Sequence, residues 1–242
     1  MLKLSHISCR VDNLQEASKK ITEMGFKIEW GSKNINKANN FFIWLDDGPF
    51  LEIFTIKKKY LPGGLGLLFL YGRYPAKKWW YWYKAKNSWC DFALEDFDLK
   101  NTSIEHRNGK TLVNIEKTKQ ELMNKGFKVS KKTMHWSRKN YKEQKAYFSF
   151  FVFQNIRLPF VVSRYEPNQK PLCMNHINGS YRLAYVCIDA SYNDYQEMNT
   201  ITKNDNRIII KKGDRTCIKE IGIIGLNKEL RFCEMVFKPV VK

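Results

Sequence analysis

Strict alternation of apolar and polar positions opens the chain. Over residues 2–11 (LKLSHISCRV) it places Leu4, His6, Ser8 and Arg10 on one face of a predicted strand, and Ser5, Ile7, Cys9 and Val11 on the other. A helical period follows. Leu14, Ala17, Ile21 and Met24 form one stripe of a helix that Asp12 and Asn13 are suited to cap and Gly25 to end. Three more strands, FKIEW, NFFIWL and PFLEIFTI, complete a βαβββ unit over residues 1–56, and the last of them sorts Phe50, Glu52 and Phe54 away from Leu51, Ile53 and Thr55. With the helix against one sheet face, the other is left to form a cup. If the first and fourth strands pair, His6 and Glu52 point the same way into that cup with Cβ atoms roughly 5 Å apart.

The pattern breaks at residues 57–88, a connecting segment that runs KKKYLPGGLG, LLFLYGRYP and then the aromatic-rich KKWWYWYKAKNS. Its aromatic side is expected to roof a pocket rather than to meet a membrane or stack on bases. The unit then returns over residues 89–167: a strand (WCDFALEDFDL), an insertion at 101–112, a helix ending at Gly126, and strands KVSKKTMHW, QKAYFSFFVF and LPFVVSRYEP. Superposing Asn13-Leu14 on Asp98-Leu99 puts Asp91 where His6 stands, and superposing Pro49-Phe50 on Pro159-Phe160 puts Val162 where Glu52 stands. Residues 175–242 read as a reduced third module whose F-C-E-M-V-F ending parallels F-L-E-I-F, giving Glu234 a Glu52-like place. A repeat of roughly eighty residues organises the whole chain.

The βαβββ order, D-N-L at the first helix start, E-M-G-F at its end, N-N-F-F and P-F-L-E-I in the following strands, and N-H-x-N-G at residues 175–179 resemble the glyoxalase-like domains of the vicinal-oxygen-chelate superfamily (glyoxalases, bleomycin resistance proteins and dioxygenases). The match is close over the first unit and looser afterwards. It implies an α+β fold in which repeated βαβββ modules form curved sheets around a cup-shaped pocket. In metal-dependent members a His on the first strand and a Glu on the fourth hold a divalent ion; here those positions are His6 and Glu52. One scaffold in this superfamily serves many chemistries, so the likeness speaks to fold before substrate.

Charge and composition narrow the picture further. The 242 residues carry 42 Lys plus Arg against 24 Asp plus Glu, a net +18. Lysine is scattered rather than blocked and no nucleic-acid motif occurs, so a nucleic-acid partner is disfavoured despite the surplus. Six cysteines (Cys9, Cys90, Cys173, Cys187, Cys217 and Cys233) lack any C-x-x-C pairing, which reads as separate thiols in a reducing cytoplasm. No leader pattern opens the sequence, and its longest apolar run is too short to cross a bilayer. No G-x-S-x-G, H-E-x-x-H or phosphate-cradling loop occurs, which argues against those hydrolase and nucleotide-driven classes.

Two functional classes follow. In the first, His6 and Glu52 hold Zn, Mn, Fe or Ni, with Asp91, Glu234 or His176 completing the set, and the ion chelates a small oxygen-bearing substrate in a lyase, isomerase or dioxygenase reaction. In the second, the protein is a metal-free binding or resistance protein that grips a small molecule with aromatic side chains. Trp44, Phe50, Trp79, Trp82 and Arg164 are the expected pocket residues in either case. His176 reads equally as a ligand or base and as a turn residue before Gly179. Pairing of sheet edges in a homodimer is compatible with the pattern, as is cover of the same edge by the third module.

Overall fold

A computed structural model describes residues 1–46, 48–107, 110–140, 142–171 and 174–241. The first unit forms as the alternation predicts: β1 (Leu2–Arg10), α1 (Leu14–Glu23), β2 (Glu29–Trp30), β3 (Asn40–Ile43) and β4 (Phe50–Phe54). The Asn13 side chain accepts from the backbone N–H groups of Gln15 and Glu16, and Gly25, at φ +84°, ends the helix in the left-handed region. Residues 57–88 supply a helical hairpin, α2 (Gly63–Tyr71) and α3 (Arg73–Lys84). The second unit contains β5 (Ser88–Asp96), a β6 (Ser103–Arg107) and β7 (Lys110–Asn114) hairpin in the insertion, α4 (Glu116–Asn124), β8 (Met134–Lys139), β9 (Lys145–Phe151) and β10 (Phe160–Val162).

These two units share one eight-stranded sheet, in the order β2-β3-β4-β1-β5-β10-β9-β8. β1 runs parallel to β4, β5 runs parallel to β10, and β1 meets β5 antiparallel at the centre. A pseudo-twofold axis therefore passes between β1 and β5, where Ile7 faces Phe92. The sheet curls so far that Arg138 on β8, at one edge, rests 4.3 Å over the ring of Phe42 on β3.

The last stretch forms β11 (Arg182–Ala190), α5 (Tyr192–Thr202), β12 (Ile208–Lys212), β13 (Cys217–Ile224), β14 (Leu230–Phe232) and β15 (Met235–Val240), in a five-stranded sheet ordered β12-β11-β13-β15-β14. Its strand directions, parallel, antiparallel, parallel, antiparallel, repeat those of β4-β1-β5-β10-β9. It is a shortened pair of units rather than a third single one. One face packs on the outer side of the large sheet: Leu4, Ile7, Cys9 and Leu94 share a core with Val186, Ile188, Ile221, Ile223 and Phe237.

A bulge changes one expectation. The β1–β5 register shifts between Leu4 and His6, so Leu4 joins Ile7, Cys9 and Val11 in the outer core instead of sharing the face of His6. Ser5 serves the cup side, where its hydroxyl donates to Glu95 Oε2 at 3.3 Å. No disulfide joins the described cysteines, and Cys173 lies outside the described residues.

Candidate functional site

Two rows of cross-strand neighbours make the cup floor. One runs Phe50, His6, Ala93, Phe160 across β4, β1, β5 and β10; the other runs Glu29, Phe42, Glu52, Ser8, Asp91 across β2, β3, β4, β1 and β5. The structure thus brings His6 and Glu52 together, with Nε2 and Oε2 3.6 Å apart. The imidazole stacks on Phe50 at 4.6 Å and meets Phe160 edge-on at 5.4 Å. A polar chain crosses the floor through it: Glu95 Oε2 accepts from Ser5 Oγ, Ser5 Oγ lies 3.3 Å from His6 Nδ1, and Glu52 Oε1 accepts from Asn40 Nδ2 at 2.7 Å.

Burial sets the protonation of these groups. Loss of hydration, reinforced by the Arg138 cation, pulls the His6 pKa down to about 3. Burial pushes Glu52 up, against the Asn40 hydrogen bond and Arg138. It also pushes Glu95 up to about 7, opposed by Ser5 and Arg164. At neutral pH the imidazole is uncharged.

Arg138 lies over this floor and is the residue that sequence reasoning missed. Its guanidinium carbon is 4.3 Å from the Phe42 ring centroid and 4.7 Å from that of Tyr165. All three of its side-chain nitrogens are enclosed without a well-formed hydrogen bond, and so is Trp44 Nε1. Phe42, Trp44, Phe50, Met174 and Tyr165 form one aromatic-rich cluster beside it. Two carboxyl groups feel its charge: Glu29, raised by burial but drawn down by a poorly formed hydrogen bond from Trp44 and by Arg138, and Glu52. The signal was present: Met134, Trp136 and Arg138 alternate along β8, which assigns Arg138 to the cup face.

The other expected residues fall into distinct roles. Trp44 and Phe50 line the cup, and Trp82 closes it from α3 by packing on Phe160. Trp79 sits over Gly63 and Gly64 of α2, within the roof. Arg164 stands near Glu95, with its Nε enclosed and unpartnered. Arg10 pairs with Asp12 instead of facing a ligand.

Three candidate ligands are corrected. Strand register makes Asp91 the twofold counterpart of His6, as superposing Asn13-Leu14 on Asp98-Leu99 predicts, because the β1–β5 ladder is symmetric about Ile7 and Phe92 and Asp91 faces Ser8 as His6 faces Ala93. Asp91 is nevertheless committed to Lys78 Nζ at 2.7 Å and Trp82 Nε1 at 2.6 Å. Glu234 lies exposed in the tight turn between β14 and β15, where Cys233 and Glu234 both take positive φ, so the ending read as one strand is a hairpin. His176 uses both ring nitrogens: Nδ1 accepts from the Lys27 backbone N–H and Nε2 donates to the Trp44 carbonyl, each at 2.9 Å. With Asn178 donating to the Met24 carbonyl, the N-H-x-N-G motif ties the first helix exit to the last unit.

This donor set does not fit a divalent ion. The 3.6 Å between His6 and Glu52 is close to the spacing of two ligands on one metal, but where the twofold would supply two more, Asp91 is held by Lys78 and Trp82 and the other position is Phe160 rather than Val162. The rings of Phe50 and Phe160 flank the imidazole, and the nearby Arg138 cation opposes a second positive charge. Among the described residues, no three His, Cys, Asp or Glu side chains converge.

Comparison with known proteins places this geometry in a family. A crystal structure of a hypothetical protein from Staphylococcus aureus matches with a TM-score of 0.66 over 99% of this chain and 100% of that one, at 13% identity. The Mn(II)-bound glyoxalase from Novosphingobium aromaticivorans aligns with a TM-score of 0.49 over 93% of this chain and 66% of that one, at 10% identity. No curated protein matches in sequence. The family model described as a glyoxalase-like domain matches residues 4–199, and the chain belongs to that family.

Proposed function

We propose that this glyoxalase-like protein binds a small organic anion in its cup without a metal ion, the ligand's carboxylate or equivalent group lying against Arg138. One observation carries the reading: enclosed guanidinium nitrogens and an enclosed indole N–H between aromatic rings, none making a well-formed hydrogen bond although Tyr165 and Glu29 stand close by. Buried donors without well-formed hydrogen bonds are costly, and a planar guanidinium matches a carboxylate in two parallel hydrogen bonds. Glu29, Glu52 and Tyr165, which border this donor set, are only half-buried. Aromatic walls at Phe42, Trp44 and Phe50 suit a flat or apolar ligand body.

The alternative is a metal-dependent lyase, isomerase or dioxygenase, favoured by the spacing of His6 and Glu52 alone. Thermal-shift and calorimetric titration with a panel of small aliphatic and aromatic carboxylates, run beside Mn, Zn and Ni, separates the two. Under the binding reading a carboxylate raises Tm, Arg138→Ala weakens it by about tenfold or more, and Arg138→Lys restores part of the loss. Metal that copurifies at one per chain and disappears in His6→Ala sinks the metal-free reading.

A further inference from the structure

The α2 helix presents an apolar face that none of the described residues covers. Gly64 packs against Trp79 and Trp80, and Leu67 and Tyr71 reach the cup-side core, so one side of the helix is anchored. The other side is open: Leu65 is 55% exposed, Leu68 42%, Phe69 83% and Leu70 63%. Leu65, Leu68 and Phe69 stand at i, i+3 and i+4, which makes them one stripe pointing away from the protein. Solitary exposed leucines are ordinary, but a contiguous patch crowned by a phenylalanine is not.

Charge identifies what the patch meets. From residue 57 to residue 86 the chain contains seven Lys, one Arg and no Asp or Glu. Lys78 is taken by Asp91, but Lys58, Lys59, Arg73 and Lys77 are exposed around the helical hairpin, and Lys131 and Lys132 border its far end, where Lys132 Nζ donates to the Leu70 carbonyl. Glu116, which lines the same cleft, is bonded to Thr133 and Lys119. A second copy of this chain would oppose one basic rim to another, whereas an anionic lipid surface satisfies rim and apolar stripe together. No helix among the described residues is long and apolar enough to cross a membrane, and a short apolar stripe with a basic rim suits lying on the surface.

We propose that α2 is an interfacial anchor that seats the protein on an anionic bilayer, with Leu65, Leu68 and Phe69 entering the headgroup–acyl boundary and the basic rim meeting the headgroups. Flotation of the full chain with vesicles of phosphatidylcholine alone, or of phosphatidylcholine mixed with phosphatidylglycerol, tests it. The protein floats with the mixed vesicles only, and salt raised to about 1 M releases most of it. Phe69→Glu lowers partitioning by about tenfold or more, as does the pair Lys58→Glu and Lys59→Glu, while each variant keeps the wild-type Tm because these side chains are exposed. Absence of flotation on both vesicles, or equal flotation on both, overturns the proposal. So does a wild-type dimer in solution that Phe69→Glu converts to monomer, since the stripe would then belong to a second copy.

Discussion

His6 takes up a proton only at the cost of lost hydration that Ser5 and Glu52 do not make good. Phe50 and Phe160 flank its ring, and Arg138 adds a like charge. The unfolded chain protonates this residue near 6.5, the folded chain only near 3. Stability is therefore lost as pH falls through that window, by at most about 1.4 kcal/mol per unit. Glu95 works in the opposite sense. Its folded value of about 7 lies above the ordinary 4.5, so its contribution is fully present below 4.5 and is lost as pH rises toward 7. Urea unfolding measured from pH 3 to pH 8 should show both limbs. His6→Phe, which keeps the ring stack, should flatten the acid limb alone, and Glu95→Gln the alkaline limb alone. Parallel profiles for His6→Phe and wild type would mean that the imidazole is not held neutral. The pairing of His6 with Glu52 was legible from alternation because both sit on regular stretches of strand. Arg138 escaped because its importance comes from a cross-barrel contact with Phe42 that no local pattern encodes.

At the scale of elements, the roof depends on one buried ion pair. Lys78 of α3 and Asp91 of β5 have side chains only 2% exposed and meet at 2.7 Å. Lys78 Nζ also donates to the carbonyls of Ile156 and Leu158, and Trp82 Nε1 donates to Asp91, so both charges are well satisfied. Such a pair contributes little net stability yet is damaging to break, because the remaining charge stays buried. Lys78→Met should cost about 3–5 kcal/mol in chemical denaturation, and adding Asp91→Leu should recover most of it. If the double variant is as unstable as the single, Asp91 matters through its bond to Trp82 rather than through charge. The aromatic density of residues 77–83 led to the expectation of a pocket roof; α3 carries those residues, and its Trp82 packs on Phe160. Its lysine anchor was not legible, since a Lys in an amphipathic helix reads as solvent-facing until the strand beneath it supplies an acid.

Across the whole molecule, one arrangement is used twice at different sizes. The β1–β5 ladder shifts register after Leu4 and again after Ser8; the β11–β13 ladder shifts after Leu183 and again after Cys187, the same four-residue spacing. The internal repeat was visible in sequence because strand and helix periods recur. The form of its last copy was not: loss of two strands after α5 moves β12 directly beside β11, and the Cys233–Glu234 turn splits what reads as a single strand. These copies are not beads on a string. Leu183, Val186, Ile188, Ile221, Ile223 and Phe237 cover the outer face of β1 and β5, and Trp89 donates to the Phe232 carbonyl at 2.9 Å and packs on Phe237 at 5.9 Å. Removing that sheet would expose Leu4, Ile7 and Leu94, each worth about 1.5–3 kcal/mol of burial. A chain ended at residue 180 should therefore lose cooperative melting, while the full chain unfolds in a single transition by circular dichroism and calorimetry. A sharp melt retained by the shortened chain would show that the curled sheet is self-sufficient, and the shared core would then be a contact between independent parts.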